Sequence, residues 1–166
     1  LLMRIVEGIR ARCGAGFNLS VRLSAERFGL VTSEVREVYS WLVATGAVDF
    51  IDMSLWDCFK LGADDEWSST PLIDIFASVP RGSTRLAVAG KLYSGADVQR
   101  AVDAGADMVA IGRAAIANHD FPRLVQADPN ARMRDLPVPR EVLLAEGLSP
   151  AFVDYMGNFP GFTEKQ

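Results

Sequence analysis

The sequence predicts an α/β fold of four strand–helix units on a parallel sheet, and three observations carry that expectation. Residues 85–113 read as strand, helix and strand. Apolar runs at Leu86 and Val88, and at Met108, Val109 and Ile111, are bounded by glycines, as in strands buried on both faces of a parallel sheet. Residues 94–104 between them carry Ser94 as a cap, Ala96, Val98, Ala101 and Val102 at helical spacing, and Gly105 as the stop. The alternation of strand and helix also occurs twice upstream, and repeated βα units imply parallel strands with right-handed crossovers. A complete eight-stranded βα barrel takes about 250 residues. A chain of 166 residues therefore leaves two architectures, half of a TIM barrel or a small open α/β sheet.

Taken in order, residues 1–13 place Leu2, Ile5, Val6 and Ile9 at helical spacing with Arg4, Glu7, Arg10 and Arg12 between them. That is an amphipathic helix, ended by Gly14 and Gly16. Residues 17–24 alternate apolar and polar, a strand whose end carries Arg22. Thr32, Ser33 and Glu34 open a second helix through Val35, Val38, Tyr39, Leu42 and Val43 to Gly46. Residues 48–54 form the next strand. The segment 55–70 holds Trp56, Asp57, Lys60, Gly62 and Trp67 without a clear period, and a loop of that length in a compact domain is usually functional or mobile. Pro71 suits the first turn of a short helix over 72–79. Residues 114–126 read as a short loop and helix around Asn118 and Pro122, and brief helical patterns recur over 140–146 and 150–156. The chain opens without Met inside a helical pattern, from which we expect further sequence upstream.

Composition narrows the class. At 49% hydrophobic and 23% charged, the chain has room for one sizeable core. A net charge of −4 with dispersed basic residues argues against a nucleic-acid or anionic-membrane surface. No apolar run reaches the roughly 20 residues of a membrane span, and the opening residues are too charged and too few for a signal peptide. Cys13 and Cys58, a lone and widely spaced pair, suggest neither a disulfide framework nor a zinc site. The expected setting is a reducing cytoplasm.

Both strands of the 85–113 unit end in groups suited to a phosphate, Gly90 before Lys91 and Gly112 before Arg113. In βα barrels the loops after the last two strands commonly bind phosphate. The competing reading makes the glycines tight turns and leaves Arg113 solvated or ion-paired. Two successive glycine–cation pairs favour the phosphate, and with it a phosphorylated cofactor. Arg22 ends a strand of mostly apolar residues, so its head group emerges at the same rim. There it can stabilise an anion that develops during reaction, or pair with Glu26 or Asp49. His119 is the only histidine; one histidine cannot make a histidine-rich metal site, and Asn118 and Asp120 beside it suit a loop or helix start. We expect no metal. Asp64, Asp65 and Glu66 read as a solvated loop tip, and Trp56 and Trp67 as a pocket mouth or as packing of the long loop. No Ser–His–Asp or Cys–His arrangement is legible.

Five stretches in order give a resemblance: VRLSAERFG (21–29), DFIDMS (49–54), AGKLYS (89–94), AGADMVAIGR (104–113) and IAN (116–118). Together they are similar to the C-terminal half of the NADH:flavin oxidoreductases, the old yellow enzyme family, over about residues 1–162. The glycine-ended strands recur in many phosphate-binding barrels; the arginine strand and the IGR–IAN continuation are more specific. The resemblance implies a TIM barrel with FMN at the C-terminal rim of its strands. Residues 1–127 would be the half-barrel, equivalent to strands five to eight, and residues 128–166 a helical extension of the same domain. Arg22 would lie beside the flavin N1 and C2 carbonyl and stabilise the reduced ring. Gly90, flanked by Ala89 and Lys91, would give the backbone phosphate contact after strand seven. Gly112 and Arg113 would bind phosphate after strand eight, Arg113 by its side chain as well.

The activity implied is reduction of FMN by NADH or NADPH, then hydride transfer from flavin N5 to an activated alkene or similar small acceptor. The family usually has Asn-Pro-Asp where this chain has Asn118, His119 and Asp120, a branch variation that leaves the phosphate residues in place. The family's N-terminal half supplies the first four strands, the His/Asn or His/His pair that binds substrate, and a tyrosine proton donor. None of these matches this sequence, and Tyr39, Tyr93 and Tyr155 stand outside the matching motif. The alternative is thus a non-catalytic half-barrel that binds phosphate or FMN weakly, pairs with a separate N-terminal half, or forms a homo-oligomer. A relative of the dihydroorotate or IMP dehydrogenases is a weaker reading, opposed by the arginine strand.

Overall fold

A computed structural model describes residues 1–164; the last two positions of the 128–166 extension lie outside the described residues. The elements are α1 (Leu2–Cys13), β1 (Ser20–Ser24), α2 (Thr32–Thr45), β2 (Phe50–Ser54), a 3-10 turn (Asp65–Trp67), α3 (Leu72–Ala77), β3 (Arg85–Ala89), α4 (Gly95–Asp103) and β4 (Met108–Val109). They continue with α5 (Arg113–Ala117), α6 (Phe121–Ala127), α7 (Arg140–Ala145) and α8 (Pro150–Met156). Two compact units result: Leu1–Lys91 with Arg100–Ala110, and Leu92–Gln99 with the chain from Ile111 onward. Helix α4 runs from one into the other.

The first unit is an α/β layer. Its four strands are all parallel and lie in the order β1-β2-β3-β4, each beside its neighbour in sequence. Right-handed crossovers that never reverse direction keep passing over the same face, so the helices gather on one side. Register separates the two faces of the sheet. Val21, Ile51 and Leu86 align, as do Leu23, Met53, Val88 and Val109, and most of this apolar set is buried. The alternate positions align Arg22, Asp52, Ala87 and Met108, then Ser24, Ser54 and Ala89. Apart from Met108 these are small or polar side chains, several of them partly exposed.

The expectation that both strands of the 85–113 unit are buried on both faces holds for β3 alone. Leu86, Ala87 and Val88 are buried, whereas Met108 is 39% exposed and β4 contributes only two residues to the ladder. An edge strand has one neighbour rather than two, and an apolar run does not reveal that difference.

Helix α2 buries Val35, Tyr39, Leu42 and Val43, a stripe at helical spacing, and closes on Gly46 in the left-handed conformation. Its start differs from the expected local cap. Val31 occupies the cap position without a side-chain bond. Asp64, from the long loop, instead accepts from the Ser33 amide at 3.0 Å, and the Trp67 indole N–H donates to Ser33 Oγ at 3.1 Å. The acidic run is therefore more than a solvated tip, because one of its carboxylates caps a distant helix.

In the second unit, Ser94 Oγ accepts from the Asp97 amide at the start of α4, while Asp97 accepts from the Tyr93 amide, one residue before the cap that a capping box would use. Ala117, Val138, Leu143, Val153, Met156 and Phe162 form a separate apolar core. The stretch read as one loop and helix after Arg113 is two short helices, α5 and α6. Among the described residues no helix is long and apolar enough to cross a membrane.

Candidate functional site

Parallel strands end at one rim, and in open α/β sheets and barrels that rim is where ligands bind. In the first unit the rim is built from the loops after β1, β2 and β3. Its backbone is unusual. Arg27, Phe28, Trp56 and Lys91 adopt positive φ (74°, 55°, 62° and 49°), and they are the only such non-glycine residues among those described. All four fall in these three loops. Left-handed backbone costs an L-residue about 1–2 kcal/mol, and strain of this kind gathers at functional sites.

Arg22 is exposed, and its Nε donates to Ser54 Oγ at 2.7 Å across to the next strand. The two acids that offered it a surface pairing are occupied elsewhere. Glu26 pairs with Lys60 at 2.5 Å, and Asp49 with Arg10 at 2.7 Å. The Leu19 amide, and then Arg10, hold the Asp49 carboxyl below its usual range. Among the described residues no carboxylate pairs with Arg22. Asp52, its register partner on the same face, keeps a buried Oδ1 without a hydrogen-bond partner. Ser54 is the residue that sequence reasoning passed over. Its signal was present, since it ends β2 in phase with Arg22.

Ala89, Gly90 and Lys91 are gripped by the loop after β2. The Ala89 carbonyl accepts from the Leu55 amide at 2.8 Å, and the Gly90 carbonyl from the Cys58 amide at 3.2 Å. A Cβ on Gly90 would lie 2.8 Å from the Asp57 nitrogen and 2.9 Å from the Trp56 carbonyl carbon. Gly90 is thus glycine because another backbone crosses it. The Lys91 ammonium pairs with Asp57 at 3.0 Å. Burial raises the Asp57 carboxyl, but Lys91 and the Phe59 amide outweigh it and leave the group below its usual range. Within this unit, β1 and β3 lie two strands apart, about 10 Å at normal strand spacing; Ala89 is in register with Ser54 and Ser24, two residues beyond Arg22.

In the second unit, Gly112 precedes α5, and among the described residues nothing but its chain neighbours lies within 4 Å of where a Cβ would stand. Arg113 is exposed and donates to Tyr93 Oη at 3.2 Å. His119 lies in the α5–α6 loop, its ring Nδ1 2.5 Å and its amide 2.8 Å from Glu146 Oε2. Arg134 engages the other Glu146 oxygen, and its amide donates to the side chain of buried Asn118. The His119 amide, then its ring, then Arg134 hold the Glu146 carboxyl down at about 2. His119, Asp120 and Glu146 do offer ligand atoms within 4.8 Å of one another. Both Glu146 oxygens are already engaged, however, so the cluster serves as an ion-pair latch. Asn118 acts through its bond from the Arg134 amide, and Asp120 stands at the cap position of α6 without a side-chain cap bond.

No family model matches the chain, and no curated protein matches it.

Proposed function

We propose that the chain is the FMN-holding part of an NAD(P)H-dependent flavin oxidoreductase of the ene-reductase type, its four strands being the C-terminal half of a (β/α)8 barrel. The observation that carries this reading is Arg22, which stands in the middle of β1 and not at its end as expected, but whose exposed guanidinium reaches Ser54 at the carboxyl end of β2 and is unneutralised by any described carboxylate. A cation fixed in this way is preorganised to stabilise negative charge on a bound ring. The sequential strand order supports the barrel half over a doubly wound sheet, whose order reverses.

The residues fit FMN unit by unit. In the first, Arg22 would face the ring, and Ala89, Gly90 and Lys91 would contribute main chain, since the Lys91 ammonium belongs to Asp57. In the second, the open space at Gly112 suits close backbone approach by a phosphate, and Arg113 supplies a matching guanidinium. FMN, when bound, supplies the two-electron chemistry between NADH or NADPH and a small acceptor such as an activated alkene. In this reading the acceptor-binding pair and the proton donor come from an N-terminal half or a partner copy, and the protein works in the cytoplasm without nucleic acid. The alternative, a non-catalytic half-barrel, draws on the short, exposed edge strand β4.

Titration of the purified chain with FMN and with riboflavin tests the proposal. Saturable quenching of flavin fluorescence is expected. Arg113→Ala should weaken FMN about tenfold, the scale of one charge-assisted contact, and leave riboflavin unchanged. A chain that takes up neither flavin would rule out the proposal for this polypeptide, and an equal loss for both flavins would remove the phosphate role of Arg113.

A further inference from the structure

Two loops at the rim of the first unit carry large side chains into solvent. Phe28, after β1, is 82% exposed, and Trp56, after β2, is 44% exposed. Their ring centroids stand 6.2 Å apart with the planes at 53°. The Arg27 guanidinium lies 4.0 Å from the centroid of the Trp56 ring. Large apolar side chains kept in water forgo the stabilisation of burial, and all three residues also hold left-handed backbone. Neither cost serves the core. Both are maintained by clamps at the base of the loops. Glu26, itself buried, pairs with Lys60 and ties the first loop to the second, while Gly90 seats the main chain of 56–58 with no room for a methyl group. The main chain beneath the rings is therefore tied by contacts at the base of both loops.

The chemistry of the cluster is specific. A guanidinium whose carbon stands 4.0 Å over an indole is attracted by the ring face and still has five N–H donors with which to meet an anion. No described carboxylate pairs with Arg27, so those donors are available to an anion, and Phe28 adds an exposed aromatic face beside them. The complement of an aromatic face next to a free guanidinium is a flat ring bearing negative charge. We propose that Arg27, Phe28 and Trp56 form a binding site for planar aromatic anions. Two sources present that chemistry, the base-and-phosphate end of a nucleotide and an aromatic carboxylic acid. The site does not depend on a flavin.

Tryptophan fluorescence and calorimetry on the whole chain provide the test, with AMP and cinnamate as probes and adenosine and cinnamamide as their neutral counterparts. Saturable binding of AMP identifies the nucleotide source, and saturable binding of cinnamate the aromatic acid. Either should weaken about tenfold in Arg27→Gln and in Phe28→Ser, the scale of one charge-assisted or stacking contact. Both positions are exposed, and an unchanged thermal melt verifies the fold of each variant. The proposal is overturned if neither probe saturates by about 10 mM, the weak limit for a specific contact set. It is also overturned if the neutral counterparts bind as well as the anions, or if both folded variants bind like the parent chain.

Discussion

At the scale of single residues, Tyr39 is the sharpest case. It is fully buried in α2, edge-on to Phe76 with centroids 5.4 Å apart, and its hydroxyl has no hydrogen-bond partner among the described residues. Burial pushes the phenol up to about 12. A group whose folded pKa is raised gives its full contribution below the unfolded value, near 10, and loses it as pH rises through about 12, because the unfolded chain releases its proton first. Stability should therefore fall between those limits. Tyr39→Phe removes an unpaired buried hydroxyl and keeps the ring, so we expect urea unfolding at pH 7 to show no loss, and a gain of up to about 1 kcal/mol. The same variant should flatten the alkaline decline. A loss above about 1 kcal/mol would instead mean that the hydroxyl has a partner.

At the scale of elements, two glycines read alike in sequence have opposite physical reasons. Gly90 lacks a side chain because the 56–58 backbone crosses it at about 3 Å, whereas among the described residues nothing but its chain neighbours stands within 4 Å of the space at Gly112. Gly90→Ala should therefore cost about 2–3 kcal/mol by overpacking, measured by thermal or denaturant melts. Gly112→Ala should change stability by less than about 1 kcal/mol while weakening FMN, so the pair separates a structural glycine from a ligand-facing one. Equal melting losses would refute that distinction. What was legible follows the same division between local and distant causes. Gly46, Gly105, Ser94 and Pro71 mark the ends of elements by their own backbone chemistry, and the chain order reveals them. The Asp64 cap on α2, the Ser54 contact of Arg22 and the Arg27 stack on Trp56 join residues about 30 apart in sequence, which no periodicity records. The exposure of β4 escaped for a related reason, since Met108 and Val109 have the composition of a central strand and only the sheet order makes them an edge.

At the scale of the whole molecule, the two units respond to acid through different carboxylates. In the first, Asp49, Asp57 and Asp107 are held below the usual range, Asp107 because the Leu86 amide and two arginines outweigh the burial that raises it. In the second, the depressed carboxyl is Glu146, at about 2 against an ordinary 4.5. A depressed acid contributes stability above its unfolded pKa and loses it as pH falls through the folded one. The Glu146 contribution should thus be complete at pH 5 and fade between about 4.5 and 2. Allowing for solvent screening, it amounts to about 1 kcal/mol. Glu146→Gln should lose that amount at neutral pH and show a flatter decline through the same window. Amide hydrogen exchange at pH 5 and pH 2.5 can read the units separately. In the variant, amides around 111–164 should become less pH-sensitive, while those of β1, β2 and β3 keep the acid response set by their own aspartates. If the substitution altered both sets equally, the chain would open as one cooperative body, and the independence expected from two separate cores would be wrong.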